Sequence, residues 1–273
     1  MSVLTASQRS CIKKLREDCS AEDLSLDPAK TIAAMDKRYS LSSSRVALTS
    51  LRKVYPDCKT FIDEMKKRYE VYKGIDKSQT PTEKQADAHI DWDTIIAWRD
   101  SSGSALPILD RVLVGLYTYI EPQRLDYTPM RIVSRLPKKL EDGINYLVMA
   151  KKSARFLFHA YKTAEKYGDR TFHVPKPLFT HLAEYLGERR TGYLFQDASI
   201  AWSEARLGTN IRRIFQRAFD KDFGVNNLRH SFVTKINEGM PSLAHLEDAA
   251  KKMGHDVITH QTYRHITLEG GSS

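Results

Sequence analysis

Long apolar runs are missing from this sequence: no stretch approaches the roughly 18 residues that a membrane span requires. The opening MSVLTASQRSCIKK is too polar for a secretory signal. Cysteine is scarce as well. Cys11, Cys19 and Cys58 all lie in the N-terminal third, are odd in number, and show no CxxC or Cys/His spacing that would suggest zinc. They read as reduced thiols in a soluble, intracellular protein. No internal repeat is visible, and no Asp/Glu cluster suggests two-metal chemistry.

What is present is ordinary globular material: 273 residues, 41% hydrophobic and 10% aromatic. That length and composition predict two domains with proper cores. The formal charge of +9, from 43 Lys+Arg against 34 Asp+Glu, favours a polyanionic partner. A well-solvated basic surface accounts for the charge equally well.

Residues 1–30 carry weak periodicity, which suggests a short helix and a flexible lead-in. Val46, Leu48, Leu51 and Val54/Tyr55 then follow a capping serine cluster, and Phe61, Ile62, Met65, Tyr69 and Tyr72 repeat at helical spacing. Pro56 and Asp57 separate the two helices. The polar stretch Gly74 to His89, with Pro81, is the linker candidate. The chain is therefore read as a helical domain over 1–80, a linker over 81–90 and a second domain over 91–273.

In the second domain, helices are expected around Trp92–Trp98 and Ile108–Ile120. The period then changes. INYLVMA (144–150), RFLFHAY (155–161) and TFHV (171–174) are short, aromatic and β-branched, and predict a small three-stranded antiparallel sheet. Helical patterns return at 178–186, 205–219, 227–236 and 243–253. The fold class expected is α+β, mainly helical.

Three C-terminal fragments now line up: VNNLRHSFVTKI (225–236), MGHD (253–256) and HQTYRH (260–265). Together with GLYTYIEPQRLDYTPMRIV (115–133) and FHAYKTAEKYGDRTFHVP (158–175), they resemble the catalytic domain of tyrosine recombinases and phage-type integrases over roughly residues 90–265. The elongated Y-I-E-P-Q-R-L-D-Y form resembles integrases of eukaryotic viruses and virus-like mobile elements more than bacterial ones. The resemblance implies strand breakage and rejoining on double-stranded DNA through a covalent 3′-phosphotyrosine, with neither metal nor ATP. It also implies work as a homo-tetramer on DNA, away from membranes; nuclear, cytoplasmic and virion locations all fit.

On this resemblance Arg124 and Arg229 are the two catalytic arginines, Lys162 the general acid, His255 a phosphate ligand or proton-transfer aid, and Tyr263 the nucleophile. Asp126 orients a neighbour. These residue types suit strand cleavage, because permanently charged guanidinium forks neutralise the non-bridging oxygens as phosphorus becomes five-coordinate. A tyrosine with an ordinary pKa of about 10 needs nearby cations to react as phenolate. An ammonium can protonate the leaving 5′-oxygen, and Lys151, Lys152 and Lys166 are alternatives to Lys162. One position departs from the family pattern. Asn226 stands among the catalytic candidates where histidine is usual: its amide can donate a hydrogen bond to a phosphate oxygen but cannot carry a proton, so His255 or His230 is the substitute base to examine. His230 follows Arg229 directly and points about 100° away on a helix, which favours packing. His255, His260 and His265 recur every five residues and share no helical face, which argues against a metal site.

The first domain resembles a DNA-clamping core-binding domain, with Arg45, Arg52, Lys53, Lys66, Lys67 and Arg68 as candidate DNA contacts. Solvated pairing with Asp57, Asp63, Glu64 and Glu70 is the competing reading of those cations. Two other functions stay open: relaxation of DNA in the manner of a type IB topoisomerase, and a catalytically inactive DNA-binding or architectural protein.

Overall fold

A computed structural model describes residues 4–102, 105–239 and 241–264. The chain divides into two compact units, Met1–Ser78 and Gln79–Ser273. The first is helical: α1 (Ala6–Cys19), α2 (Pro28–Arg38), α3 (Leu41–Val54) and α4 (Lys59–Ser78). Two helices thus form where one and a flexible lead-in were expected. Their starts are capped by Thr5, in a reciprocal box with Gln8, and by Asp27 before Pro28. Such capping and the burial of a narrow stripe outweigh weak periodicity. Cys11, Ile12, Leu15, Met35, Leu48, Leu51 and Phe61 share the core. Val46 and Tyr69, counted towards the apolar faces, are exposed instead.

The stretch 74–89 differs from a simple linker. Helix α4 continues to Ser78, and α5 (Glu83–Asp87) forms a turn boxed by Thr82 and Gln85.

The second unit is built on α7 (Ile108–Thr118), which is buried on all sides from Val112 onward. A Cβ on Gly115 would stand 2.9 Å from Leu178 of α9 (Lys176–Leu186), so the glycine lets these two helices touch. Around them lie α6 (Trp92–Ser102), α8 (Ala164–Tyr167), α10 (Glu204–Phe219), α11 (Val225–Glu238), α12 (Leu243–Lys252) and α13 (Val257–Gln261). Helix α10 shows how burial selects the helix: Leu207, Ile211, Ile214 and Phe215 face the core at 4, 3 and 1 residue steps. Each such side chain contributes about 1.5–3 kcal/mol when fully buried.

The sheet has four strands, not three, and is mixed. Its order is β1-β2-β3-β4, with β1 (Met130–Val133) parallel to β2 (Asn145–Met149) and antiparallel pairing onward through β3 (Ala154–Phe158) to β4 (Arg170–His173). A short hairpin of β5 (Gln196–Asp197) and β6 (Ile200–Ala201) lies apart. Strand β1 escapes a periodicity reading because it is four residues long, follows Pro129 and carries Arg131. Its place is fixed from outside, by Met130↔Asn145 pairing and by hydrogen bonds with Gly192 and Leu194. Tyr127, Phe156 and Phe158 pack edge to face beneath the sheet, with Tyr127 5.4 Å from each partner ring.

Candidate functional site

Arg229 lies in α11 and is completely buried. Its Nη1 donates to the Pro122 carbonyl at 2.6 Å, and its Nη2 meets His255 Nδ1 at 3.1 Å. A guanidinium can only donate, so Nδ1 of His255 must be the bare nitrogen and Nε2 must hold the proton. That Nε2 stands 3.1 Å from His260 Nδ1 and donates to it. The proton of His260 is then on Nε2, which is buried with no hydrogen-bond partner among the described residues. Burial, then Arg229, His260 and Arg124, hold the His255 imidazolium down at about 3, and burial and Arg229 hold His260 at about 4. Both rings are neutral at pH 7.

Tyr263 follows α13 and rests on this chain of donors. Its ring stacks on His255 with centroids 5.4 Å apart and leans on His230 at 4.9 Å. The Arg229 guanidinium stands 4.8 Å from the Tyr263 ring centre. Burial pushes the phenol up, but the guanidinium groups of Arg229 and Arg124, through charge and hydrogen bonding, outweigh it and bring the hydroxyl below its ordinary value. His230 donates from Nδ1 to the Tyr263 carbonyl at 2.8 Å and so holds the segment's backbone.

Arg124 reaches the same point from the segment after α7, where Tyr117 Oη donates to its carbonyl at 2.9 Å. Arg124 Nη1 and Arg229 Nε are buried donors with no partner among the described residues. Arg124, Asp126, Lys162 and Asn226 line an open cleft of about 930 Å³. Burial raises the Asp126 carboxyl, against the pull of Arg170, Arg124 and Arg229. Asn226 is exposed in the first turn of α11.

Lys162 lies at the start of the β3–β4 connection, a longer segment than a hairpin tip because α8 forms within it. Asn145 anchors that turn: its amide donates to the carbonyls of Asp126 (2.7 Å) and Ala160 (2.9 Å), and its oxygen accepts from His159 and Ala160. Lys151 and Lys152 sit in the tight β2–β3 turn, at the other end of β3. Four strand steps place that end roughly 14 Å away. Lys166 is paired with Asp256 at 3.2 Å. Lys162 is thus the lysine of this group that lines the cleft.

Substitution of a histidine base for Asn226 finds no support at His255, whose two nitrogens are both engaged. His265 lies outside the described residues. Among the described residues no group of three His, Cys, Asp or Glu side chains is placed to hold a metal ion, and no helix is long and apolar enough to cross a membrane. Sequence reasoning gave no role to Gln123 or Arg170 and weighed His260 only against a metal site; all three are buried beside the site. Neither periodicity nor the order of motifs assigns them a role, which depends on what packs around each side chain.

In the first unit, Arg68 needs correction as a DNA contact. It is buried and committed to Glu64, Asp36 and Ser44. Arg45, Arg52, Lys53, Lys66 and Lys67 are exposed. Arg45 packs over the Tyr72 ring, Lys53 bonds Gln8, and Lys66 and Lys67 stand 3.9 Å from Asp63 and Glu64. Ion pairs of that length at the surface contribute little, so Lys66 and Lys67 are only weakly held.

No family model matches the chain, and no curated protein matches it. One solved structure to which it is similar is the XerH site-specific recombinase, described as bound to difH substrate in a pre-cleavage complex. The two are 16% identical with a TM-score of 0.42, over 98% of this chain and 95% of that one.

Proposed function

We propose that the chain is a tyrosine recombinase that breaks and rejoins double-stranded DNA through a 3′-phosphotyrosine on Tyr263. The observation that carries this reading is the meeting of two guanidinium groups at one phenol: Arg124 and Arg229 both lower the Tyr263 hydroxyl while keeping buried donors open. Fixed cations at that point favour phenolate before reaction and neutralise phosphate oxygens during it. Tyr263, its proton released to solvent, attacks as phenolate: Oη forms a bond to phosphorus as the bond to O5′ breaks, and the Lys162 ammonium gives its proton to the departing oxygen. Ester energy is retained in the phosphotyrosine, so rejoining requires no ATP. The chain's own cations supply the charge that a metal would otherwise bring.

Phosphate contacts make duplex binding fall steeply with salt. Assembly as a tetramer on DNA, and an intracellular place in the integration machinery of a eukaryotic virus or virus-like element, are the finer parts of the same proposal. The test uses a nicked suicide duplex whose cleaved fragment diffuses away, with chelator present and nucleotide absent. An adduct resistant to denaturant, lost in Tyr263→Phe, is the expected outcome. Duplex binding with no adduct makes the chain an architectural protein, and relaxation of plasmid without joining of two marked sites makes it a topoisomerase.

A further inference from the structure

Arg170 is a buried cation that neither nucleophile nor general acid accounts for. It opens β4 and is 6% exposed. Its guanidinium lies 3.9 Å from the centre of the Tyr161 ring, a cation–π contact. Nη1 donates to Gln123 Oε1 at 3.0 Å and to the Lys252 carbonyl at 2.8 Å. Gln123, completely buried, donates to the same carbonyl at 2.9 Å and directly precedes Arg124. Gly254, at φ +74°, lies so close that a Cβ there would stand 3.0 Å from the Arg170 guanidinium. One planar group therefore touches three chain segments: those ahead of Arg124, ahead of Lys162 and ahead of His255.

The contacts around Lys162 extend the pattern. Tyr161, on one side, stacks on Arg170; Thr163, on the other, donates from Oγ1 to the Gly254 carbonyl at 2.7 Å. Lys166 adds an ion pair to Asp256. Lys162 itself is exposed and lines the cleft. Its backbone is clamped on both flanks to the turn that carries His255, while its side chain remains free to reach.

We propose that Arg170 is a positioning residue that holds the Lys162 turn in register with Arg124 and His255, so that the lysine ammonium meets the leaving 5′-oxygen. This rests on the strand-transfer reading above. A lysine at 170 keeps the charge but loses the flat fork that stacks on Tyr161 and bonds two acceptors. Misplacing a general acid forfeits its contribution, typically 10²–10⁴-fold.

The test compares two suicide duplexes, one with the ordinary 5′-bridging oxygen and one with sulfur in its place. A thiolate departs without needing a proton, so the sulfur substrate bypasses the acid. The expected result for Arg170→Lys is adduct formation slowed about 100-fold on the oxygen substrate and restored to near the wild-type rate on the sulfur substrate, as for Lys162→Ala. Thr163→Val, a mild change remote from the core, should show the same pattern at about tenfold, an order-of-magnitude figure for one lost hydrogen bond. It keeps the test open should Arg170→Lys fold poorly. Equal slowing on both substrates, or no slowing on either, overturns the proposal. Failure of the wild-type chain to form any adduct overturns the recombinase reading itself, which separates the two.

Discussion

Acidification should loosen the second unit, and the imidazole pair is the chief cause. His255 presents its bare Nδ1 to Arg229 and its Nε2–H to His260, so a proton added to either ring meets a donor already in place. Arg229, Arg124 and Asp256 are the charged groups acting on His255. The folded values of about 3 and 4 lie below the ordinary 6.5, so the unfolded chain binds more protons and stability must fall as pH falls below 6.5. At pH 5 the unfolded ring is 1.5 units below its own value while the folded ring is still neutral. At 1.36 kcal/mol per unit, this is about 2 kcal/mol for each histidine. The two rings share a hydrogen bond, so the pair loses between about 2 and 4 kcal/mol. Asp256, held at about 2, does not change in this window. His230 and His181 are also lowered, chiefly by burial, and act in the same direction. Urea unfolding followed through Trp92, Trp98 and Trp202 measures the second unit alone, since all three tryptophans lie there. With a slope of about 2 kcal/mol/M, the midpoint should drop by roughly 1–2 M between pH 7.5 and 5. Equal midpoints, or imidazole nitrogen shifts showing His255 titrating near 6.5, would refute the tautomer assignment.

Further outcomes concern single side chains. Arg229→Lys keeps the charge and loses the fork, so adduct formation should slow by about 10²–10³-fold in single-turnover assays. Duplex affinity, which rests on many phosphates, should change little. Gly254→Ala places a Cβ at a positive φ and against Arg170. Calorimetry should show about 1–3 kcal/mol of lost stability. Arg68→Met removes the buried cation that Glu64 and Asp36 share. It should destabilise the first unit by roughly 2 kcal/mol in denaturant melts, while DNA binding measured by anisotropy stays unchanged.

Amphipathic helices were readable because burial imposes a period on them: Leu207, Ile211, Ile214 and Phe215 spell out α10 directly. Helices α1 and α2 were not, since their starts depend on caps at Thr5 and Asp27 more than on apolar residues. Parallel pairing of β1 with β2 is a long-range fact that a four-residue segment cannot encode alone. Within the site, the order of motifs named Arg124, Arg229, His255 and Tyr263. It gave no role to Arg170 or His260, whose place in the site comes from what surrounds them: an aromatic ring and two acceptors for one, a second imidazole for the other. Arg68 illustrates the opposite error, a cation in a basic run that folds inward to meet carboxylates.

Mass spectrometry of the trapped DNA complex tests the central claim most directly. After nuclease and trypsin digestion, the peptide Met253–Arg264, which contains a single tyrosine, should carry a nucleotide linked through its 3′-phosphate to Tyr263. A nucleotide on any other peptide, or the unmodified peptide alone in a complex that has cleaved its DNA, would contradict the account.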